Sequence, residues 1–303
     1  MNYYNQIKEQ LINNEIYKKV KDYSKNRNEL NTYYNVGKLL IEAQGGEDRA
    51  KYGDGLIKEY SKKLETEVGK KYNERTLRRI RQFYIISNNQ KWSPVATKLT
   101  WSHYCELLSL KDINEINYYI DISIKQNLSK RELREKIKNK EYQRLDDNTK
   151  LKLINKEETL VSDFIKNPII IKNKNNINKD KISEKILKTL ILEDIDSFLK
   201  ELGEGFSYIG NEYKIKIGNT YNYIDLLLFN YVYNCFVVIE LKVTELKKEH
   251  IGQIEVYMNY IDKNIKTINQ DKTIGLIICK EDNNFYIKYS SDKRIFYRNY
   301  ILN

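Results

Sequence analysis

Two apolar runs, each carrying charge at one end, constrain this chain more than any other feature. The first is Tyr223-Ile224-Asp225-Leu226-Leu227-Leu228-Phe229; the second is Cys235-Phe236-Val237-Val238-Ile239-Glu240-Leu241-Lys242. Each has the length and the aliphatic, β-branched content of a buried strand, and the short polar stretch between them makes them neighbours in a sheet. A carboxylate buried without a partner costs several kcal/mol, so Asp225 and Glu240 need a reason to be there. Glu240 and Lys242 stand two apart and point to the same side of a strand. Two acids and a lysine converging at the edge of a core suit a hard divalent cation with a cationic helper. The structural alternative is an ion pair between Glu240 and Lys242 at a strand end, with Asp225 as a cap.

The surrounding pattern is α/β. Ile182 to Leu202 has a helical stripe of Leu187, Ile191, Ile195, Phe198 and Leu202, stopped by Gly203. Tyr213, Ile215 and Ile217 alternate with Lys214 and Lys216 as in a half-buried strand, and Gly218-Asn219 turns into the strand of Asp225. After the strand of Glu240 comes a helix from about Lys247 to Ile261, a buried strand Thr273 to Cys279, and a further strand at Phe285 to Tyr289. The expected order is αβββαβ, a sandwich with a mixed sheet. Two more polar residues flank buried stripes: Glu193 in the first helix and Gln253 in the second, with His250 one turn before Gln253. Glu193 reads equally as a solvated glutamate, and His250 as a packed histidine.

Residues 1–166 carry helical periodicity throughout, so the chain is expected to be α+β overall: a helical domain over 1–166, a polar linker over 167–181 and the α/β domain over 182–303. Tyr34, Gly37, Lys38 and Ile41 share one helix; Leu56, Ile57, Tyr60 and Leu64 the next; Leu77, Ile80, Phe83 and Tyr84 a third. In that third helix Arg75, Arg78, Arg79 and Gln82 fall on one face. With the short turn before them they suit a helix-turn-helix-like reader of DNA, or equally a solvated face with ion pairs. Ser129-Lys130-Arg131-Glu132 has the form of a capping box. Trp101-Ser102-His103-Tyr104 reads as packing, because adjacent helical residues do not face one another.

The net charge of +11 favours a polyanionic partner, although a Lys- and Asn-rich composition weakens that inference. Cys105, Cys235 and Cys279 are scattered, as in a reduced cytoplasmic protein. No apolar run is long enough for a membrane span.

Phosphodiester hydrolysis needs an in-line nucleophile, charge neutralisation and help for the leaving oxygen, which Mg2+ can supply, with Mn2+ as a substitute. Asp225, Glu240 and the backbone carbonyl of Leu241 are the candidate ligands, and Lys242 is placed to orient an attacking water. The pattern Asp-(x)14-Glu-x-Lys resembles the signature of PD-(D/E)xK nucleases. More of the chain resembles one branch of them, the YhcG-like proteins. Phe198 to Gly210, Tyr223 to Leu227, Cys235 to Lys242, His250 to Gln253 and Thr273 to Lys280 match its nuclease domain in order. Tyr33 to Lys38, Arg49 to Gly53, Leu77 to Tyr84, Leu99 to Tyr104 and Arg131 to Leu133 match its helical N-terminal domain. The resemblance implies a restriction-endonuclease-like fold in which Asp225, Glu240 and Lys242 carry the chemistry, Glu193 is the helix acid and Gln253 the helix glutamine.

The expected activity is therefore a Mg2+-dependent endonuclease acting on DNA, with the helical domain binding DNA or mediating assembly. A homodimer and a role in genome defence accompany that expectation. Two further readings compete: a catalytically silent nucleic-acid-binding protein, and an assembly partner of another defence enzyme.

Overall fold

Alternation and helical stripes in the sequence become two compact units, residues 1–139 and 140–303. The computed structural model describes residues 2–19, 25–46, 54–89, 99–178, 181–280 and 292–303. The matched piece Arg49 to Gly53 and the strand expected at Phe285 to Tyr289 lie outside these.

The described part of the first unit is helical: α1 (Tyr3–Lys19), α2 (Lys25–Ala43), α3 (Asp54–Glu67), α4 (Glu74–Asn89), α5 (Trp101–Leu107), α6 (Ile113–Lys125) and α7 (Lys130–Lys138). Of the expected stripes, Ile41 of α2, Ile57, Tyr60 and Leu64 of α3, and Leu77, Ile80 and Phe83 of α4 are buried. Gly37 lets α2 and α4 touch: a Cβ there would lie 2.6 Å from the Ile80 carbonyl oxygen and 2.6 Å from the Tyr84 Cβ. Trp101 stands edge-on to Tyr33 and Phe83, and His103 bonds Thr100 and the Leu128 carbonyl, so this segment packs as expected. The capping box at Ser129 is formed with Glu132.

The second unit contains α8 (Asp147–Asn155), a 3-10 turn (Val161–Phe164), β1 (Ile169–Ile171), α9 (Glu184–Glu193), α10 (Ile195–Leu202), β2 (Phe206–Ile217), β3 (Thr220–Asn230), β4 (Cys235–Leu241), α11 (Lys248–Asn264), β5 (Asp271–Cys279) and β6 (Ile295–Leu302). The sheet order is β1-β6-β5-β4-β3-β2. β2, β3 and β4 are antiparallel neighbours, while β4, β5, β6 and β1 run parallel. One face packs Leu226, Leu228, Val237, Ile239 and Leu241 with α9 and α10. The other packs Ile224, Leu227, Val238 and Ile277 with Ile254, Met258 and Ile261 of α11. Gly275 admits that helix, since a Cβ there would meet the Met258 sulfur at 2.6 Å.

Three expectations are corrected. The linker expected over 167–181 contains β1, because Ile169 and Ile171 are buried and pair alongside Tyr300 and Leu302. Residues 140–166, expected with the helical domain, fold with the second unit. Arg298 of β6 explains the latter: it donates to the Ile165 carbonyl at 2.8 Å and to Asp146 at 2.9 Å. The single helix expected over 182–202 is two, because Asp194 breaks it and caps α10 by accepting from the Ser197 N–H at 3.3 Å.

Candidate active site

The apolar alternation that makes β3 and β4 strands also brings their charges together. The ladder ends at Leu226↔Ile239, and one step further in the same register Asp225 comes opposite Glu240. Asp225 Oδ2 accepts the Leu241 N–H at 3.0 Å, which ties the first carboxylate to the strand end that carries the second. Lys242 Nζ lies 3.4 Å from Glu240 Oε2. The three signature residues are therefore one cluster at the C-terminal end of β4.

Glu240 is 1% exposed, and its Oε1 is buried without a hydrogen-bond partner. Burial, and then the charge of Asp225, push its carboxyl up to about 7, against the pull of Lys242. Burial alone would lower the ammonium of Lys242, yet Glu240, Glu184 and Asp225 together raise it, so it stays charged. His250 is lowered by burial and by the charge of Lys242, which places the start of α11 in the field of the cluster. Its Nδ1 accepts the Lys247 N–H at 3.1 Å as a helix cap.

Two carboxylates with one orphaned oxygen fit a hard divalent cation. Among the described residues no group of three or more His, Cys, Asp or Glu side chains forms a ready-made metal cage. The oxygen donors gathered there are the carboxylates of Asp225 and Glu240, and a cation that keeps several waters is suited to so few protein ligands.

Glu193 does not join them. It is exposed at the end of α9 and accepts from Asn175 Nδ2 at 3.2 Å. The acid that α9 delivers is Glu184, 3.6 Å from Lys242 Nζ. Glu193 stands nine residues after Glu184; at roughly 100° per residue that puts it about half a turn round the helix. Flanking a buried stripe is possible on either side of it, and Glu193 flanks the wrong one.

Lys188, one turn after Glu184, was not singled out by the sequence. Its Nζ lies 2.8 Å from Glu212 Oε1 and 3.3 Å from Asp225 Oδ1. Glu212 falls opposite Asp225 in the β2–β3 register and holds a φ of +46°, which a residue with a side chain rarely adopts inside a strand. Alternation breaks at this pair: Ile224 and Leu227 bury on the same face, while Leu226 buries on the other. The visible signal was the i, i+4 pair Glu184/Lys188 beside a buried stripe, but only the fold says what faces it.

Gln253 is half-buried on α11 and donates to the Tyr257 hydroxyl at 3.0 Å. In the first unit, Arg78 pairs with Glu74 at 2.8 Å and Gln82 donates to the Leu108 carbonyl at 2.8 Å, so two of the four residues on that face serve the helical fold itself. Arg75 is exposed and Arg79 half-buried.

Comparison with known proteins also finds two parts in the chain. Residues 162–302 match the YhcG PDDEXK nuclease domain, and residues 7–144 match the DUF1016 N-terminal domain. A relative from Escherichia coli (strain K12), described as "Putative nuclease YhcG", is 26% identical over 287 residues, covering 82% of this chain and 76% of the relative. Two solved structures share 20% identity at a TM-score of 0.29: a repair endonuclease from Pyrococcus abyssi and an EndoMS–dsDNA2 complex. They cover 39% of this chain and 47% and 44% of their own, and at that score they carry no weight here.

Proposed function

We propose that this chain, which belongs to the YhcG-like PDDEXK nucleases, hydrolyses DNA phosphodiesters with a divalent cation held by Asp225 and Glu240 beside the ammonium of Lys242. The proposed polymer is DNA and the proposed ion Mg2+. The observation that carries it is the buried, unpartnered Oε1 of Glu240, opposite Asp225 and beside a charged lysine. A scaffold gains nothing from such an oxygen, which costs about 1–3 kcal/mol or more when left unsatisfied.

A bound Mg2+ or Mn2+ would neutralise charge at the scissile phosphate and lower the pKa of a bound water. Asp225 and Glu240 would hold it, with the backbone carbonyl of Leu241, between Glu240 and Lys242 in the chain, as the third proposed donor. The Leu241 N–H fixes the rotamer of Asp225. Lys242 keeps its proton and presents a compact charge to the attacking water and the phosphate. Glu184 holds that ammonium from the helix side and so serves as a positioning residue. Gln253, its amide donating to Tyr257, offers its carbonyl oxygen toward a ligand or water. Of the four residues on that face, Arg75 and Arg79 are the proposed phosphate contacts of the helical unit, since Arg78 pairs with Glu74 and Gln82 bonds the Leu108 carbonyl. Cytoplasmic residence accords with three free cysteines, two of them buried. Among the described residues no helix is long and apolar enough to cross a membrane.

The test is cleavage of linear, nicked, branched and single-stranded DNA and of RNA, with Mg2+, Mn2+ or EDTA, beside Asp225→Asn and Lys242→Ala. Cutting of DNA that needs metal and disappears in both variants is the expected result. Metal-independent cutting, or cutting retained in both variants, would refute it.

A further inference from the structure

We propose that the exposed face of the β2–β3 hairpin is a stacking track for an unpaired nucleic-acid strand running from Asp225. The inference rests on the nucleic-acid reading of the site and names the form of substrate it takes.

The hairpin has two unlike faces. Ile215, Ile224 and the partly buried Tyr213 and Ile217 pack toward α11. On the other face the register sets Lys214 opposite Tyr223 and Lys216 opposite Tyr221. Tyr221 is 53% exposed and Tyr223 52%, large values for rings in a paired strand. Lys214 Nζ sits 3.9 Å from the centroid of the Tyr221 ring and Lys216 Nζ 6.0 Å, so the rings and the cations form one patch. Exposed tyrosines alone would mean little, because tyrosine favours strands wherever they lie. Aromatic rings interleaved with lysines on one face are another matter. They combine a π surface, on which any base can stack, with charges for the phosphates between.

Position links the patch to the site. α9 reaches β2 and β3 through Lys188, which bonds Glu212 and Asp225. Beyond that pair, Lys214, Lys216, Tyr221 and Tyr223 are all exposed. Residues two apart on a strand are separated by about 6.7 Å, so Tyr223 and Tyr221 follow Asp225 at about 7 and 13 Å along β3. Among the described residues β2 is also the edge strand of the sheet, with only β3 as its neighbour. A duplex keeps its bases stacked on each other and presents phosphates to such a surface; only an unpaired segment can use the rings. The occupant is therefore a single strand or a frayed or flapped end.

Binding is measured on the full chain in EDTA, by fluorescence anisotropy, with a labelled thymidine homopolymer of about 20 nucleotides and a duplex of about the same length. EDTA removes cleavage from the readout, so the result is independent of whether the nuclease reading holds. Tyr221→Leu with Tyr223→Leu is expected to weaken the homopolymer about tenfold or more, while Tyr221→Phe with Tyr223→Phe stays within about twofold of wild type. Duplex binding stays within about twofold in both. Lys214→Gln with Lys216→Gln lowers the slope of log K against log salt for the homopolymer by about 1.4. A 5-iodouracil oligonucleotide is expected to cross-link to Tyr221 or Tyr223. Circular dichroism melts check that the substituted chains fold.

Several results would overturn the proposal. One is wild-type homopolymer affinity in the folded leucine variant; another is an equal loss on homopolymer and duplex. No homopolymer binding by wild type would do so too, whatever it cuts. So would a leucine variant that changes only sedimentation, since the patch would then be a contact between copies of this chain.

Discussion

Glu240 shows what the site costs the fold. Its carboxyl titrates near 7 when folded, above the ordinary value of 4.5. The unfolded chain therefore releases this proton at lower pH, and stability falls as pH rises from about 4.5 to 7, then levels off. A shift of that size corresponds to about 3 kcal/mol. Glu240→Gln is accordingly expected to melt higher than wild type at pH 8 and about the same at pH 4, while cleaving no DNA. A lower melting temperature at pH 8 would show instead that the carboxylate is well paired. Added Mn2+ should raise the wild-type melting temperature at pH 8 and leave Glu240→Gln unmoved. Lys188 bears on the same cation, since its ammonium already partners Asp225. Lys188→Met removes a like charge next to the ion and is expected to tighten Mn2+ binding about tenfold in titration calorimetry. At this scale Asp225, Glu240 and Lys242 were legible because charge interrupts apolar runs. Glu184, Lys188 and Glu212 were not, because charged residues beside a helical stripe or in a half-exposed strand look like ordinary surface.

Elements follow the same logic. Close crossings depend on absent side chains: at Gly37 the nearest atoms to an added Cβ are a backbone oxygen and a Cβ, neither of which swings away. Gly37→Ala is expected to destabilise the helical unit by about 1–3 kcal/mol, read as a lower melting temperature with the Tyr33–Trp101 contact perturbed in fluorescence. Glu201 of α10 plays the opposite part, filling a polar gap. It pairs with the nearly buried Arg144 and accepts the Ile170 N–H at 2.9 Å, so one carboxylate holds the residues before and within β1. Glu201→Ala breaks this nearly buried ion pair and removes the acceptor of the Ile170 N–H, and should cost about 3–5 kcal/mol in denaturant titration. The helices and the three antiparallel strands were legible from periodicity. β1 was not, because three isoleucines amid lysines and asparagines lack the length of a strand signal. Nor was the break at Asp194, where Lys174, Ser197 and Lys172 hold the carboxyl well below its usual range as a cap.

The whole molecule divides at Asn139 and Lys140 rather than at the expected linker. Residues 140–166 carry a helical pattern, yet side-chain hydrogen bonds tie them to the sheet: Lys166 donates to the Glu201 backbone carbonyl at 2.7 Å and Arg298 to the Asp146 carboxylate at 2.9 Å. A chain of residues 140–303 is expected to fold with one cooperative melt, whereas 182–303, which lacks β1 and these ties, should show none. The reverse result would restore the linker reading. Periodicity and buried charge are local properties of the chain, so a helical half, a mixed sheet and the two carboxylates with a lysine on which the proposed activity rests could all be read along it. Tertiary structure alone decided which helix acid reaches Lys242, what Lys188 bridges, where the units part and which face of the hairpin stays bare. Each of those depends on rotation about a helix axis or on register between distant strands, and neither is written in the spacing of residues along one segment.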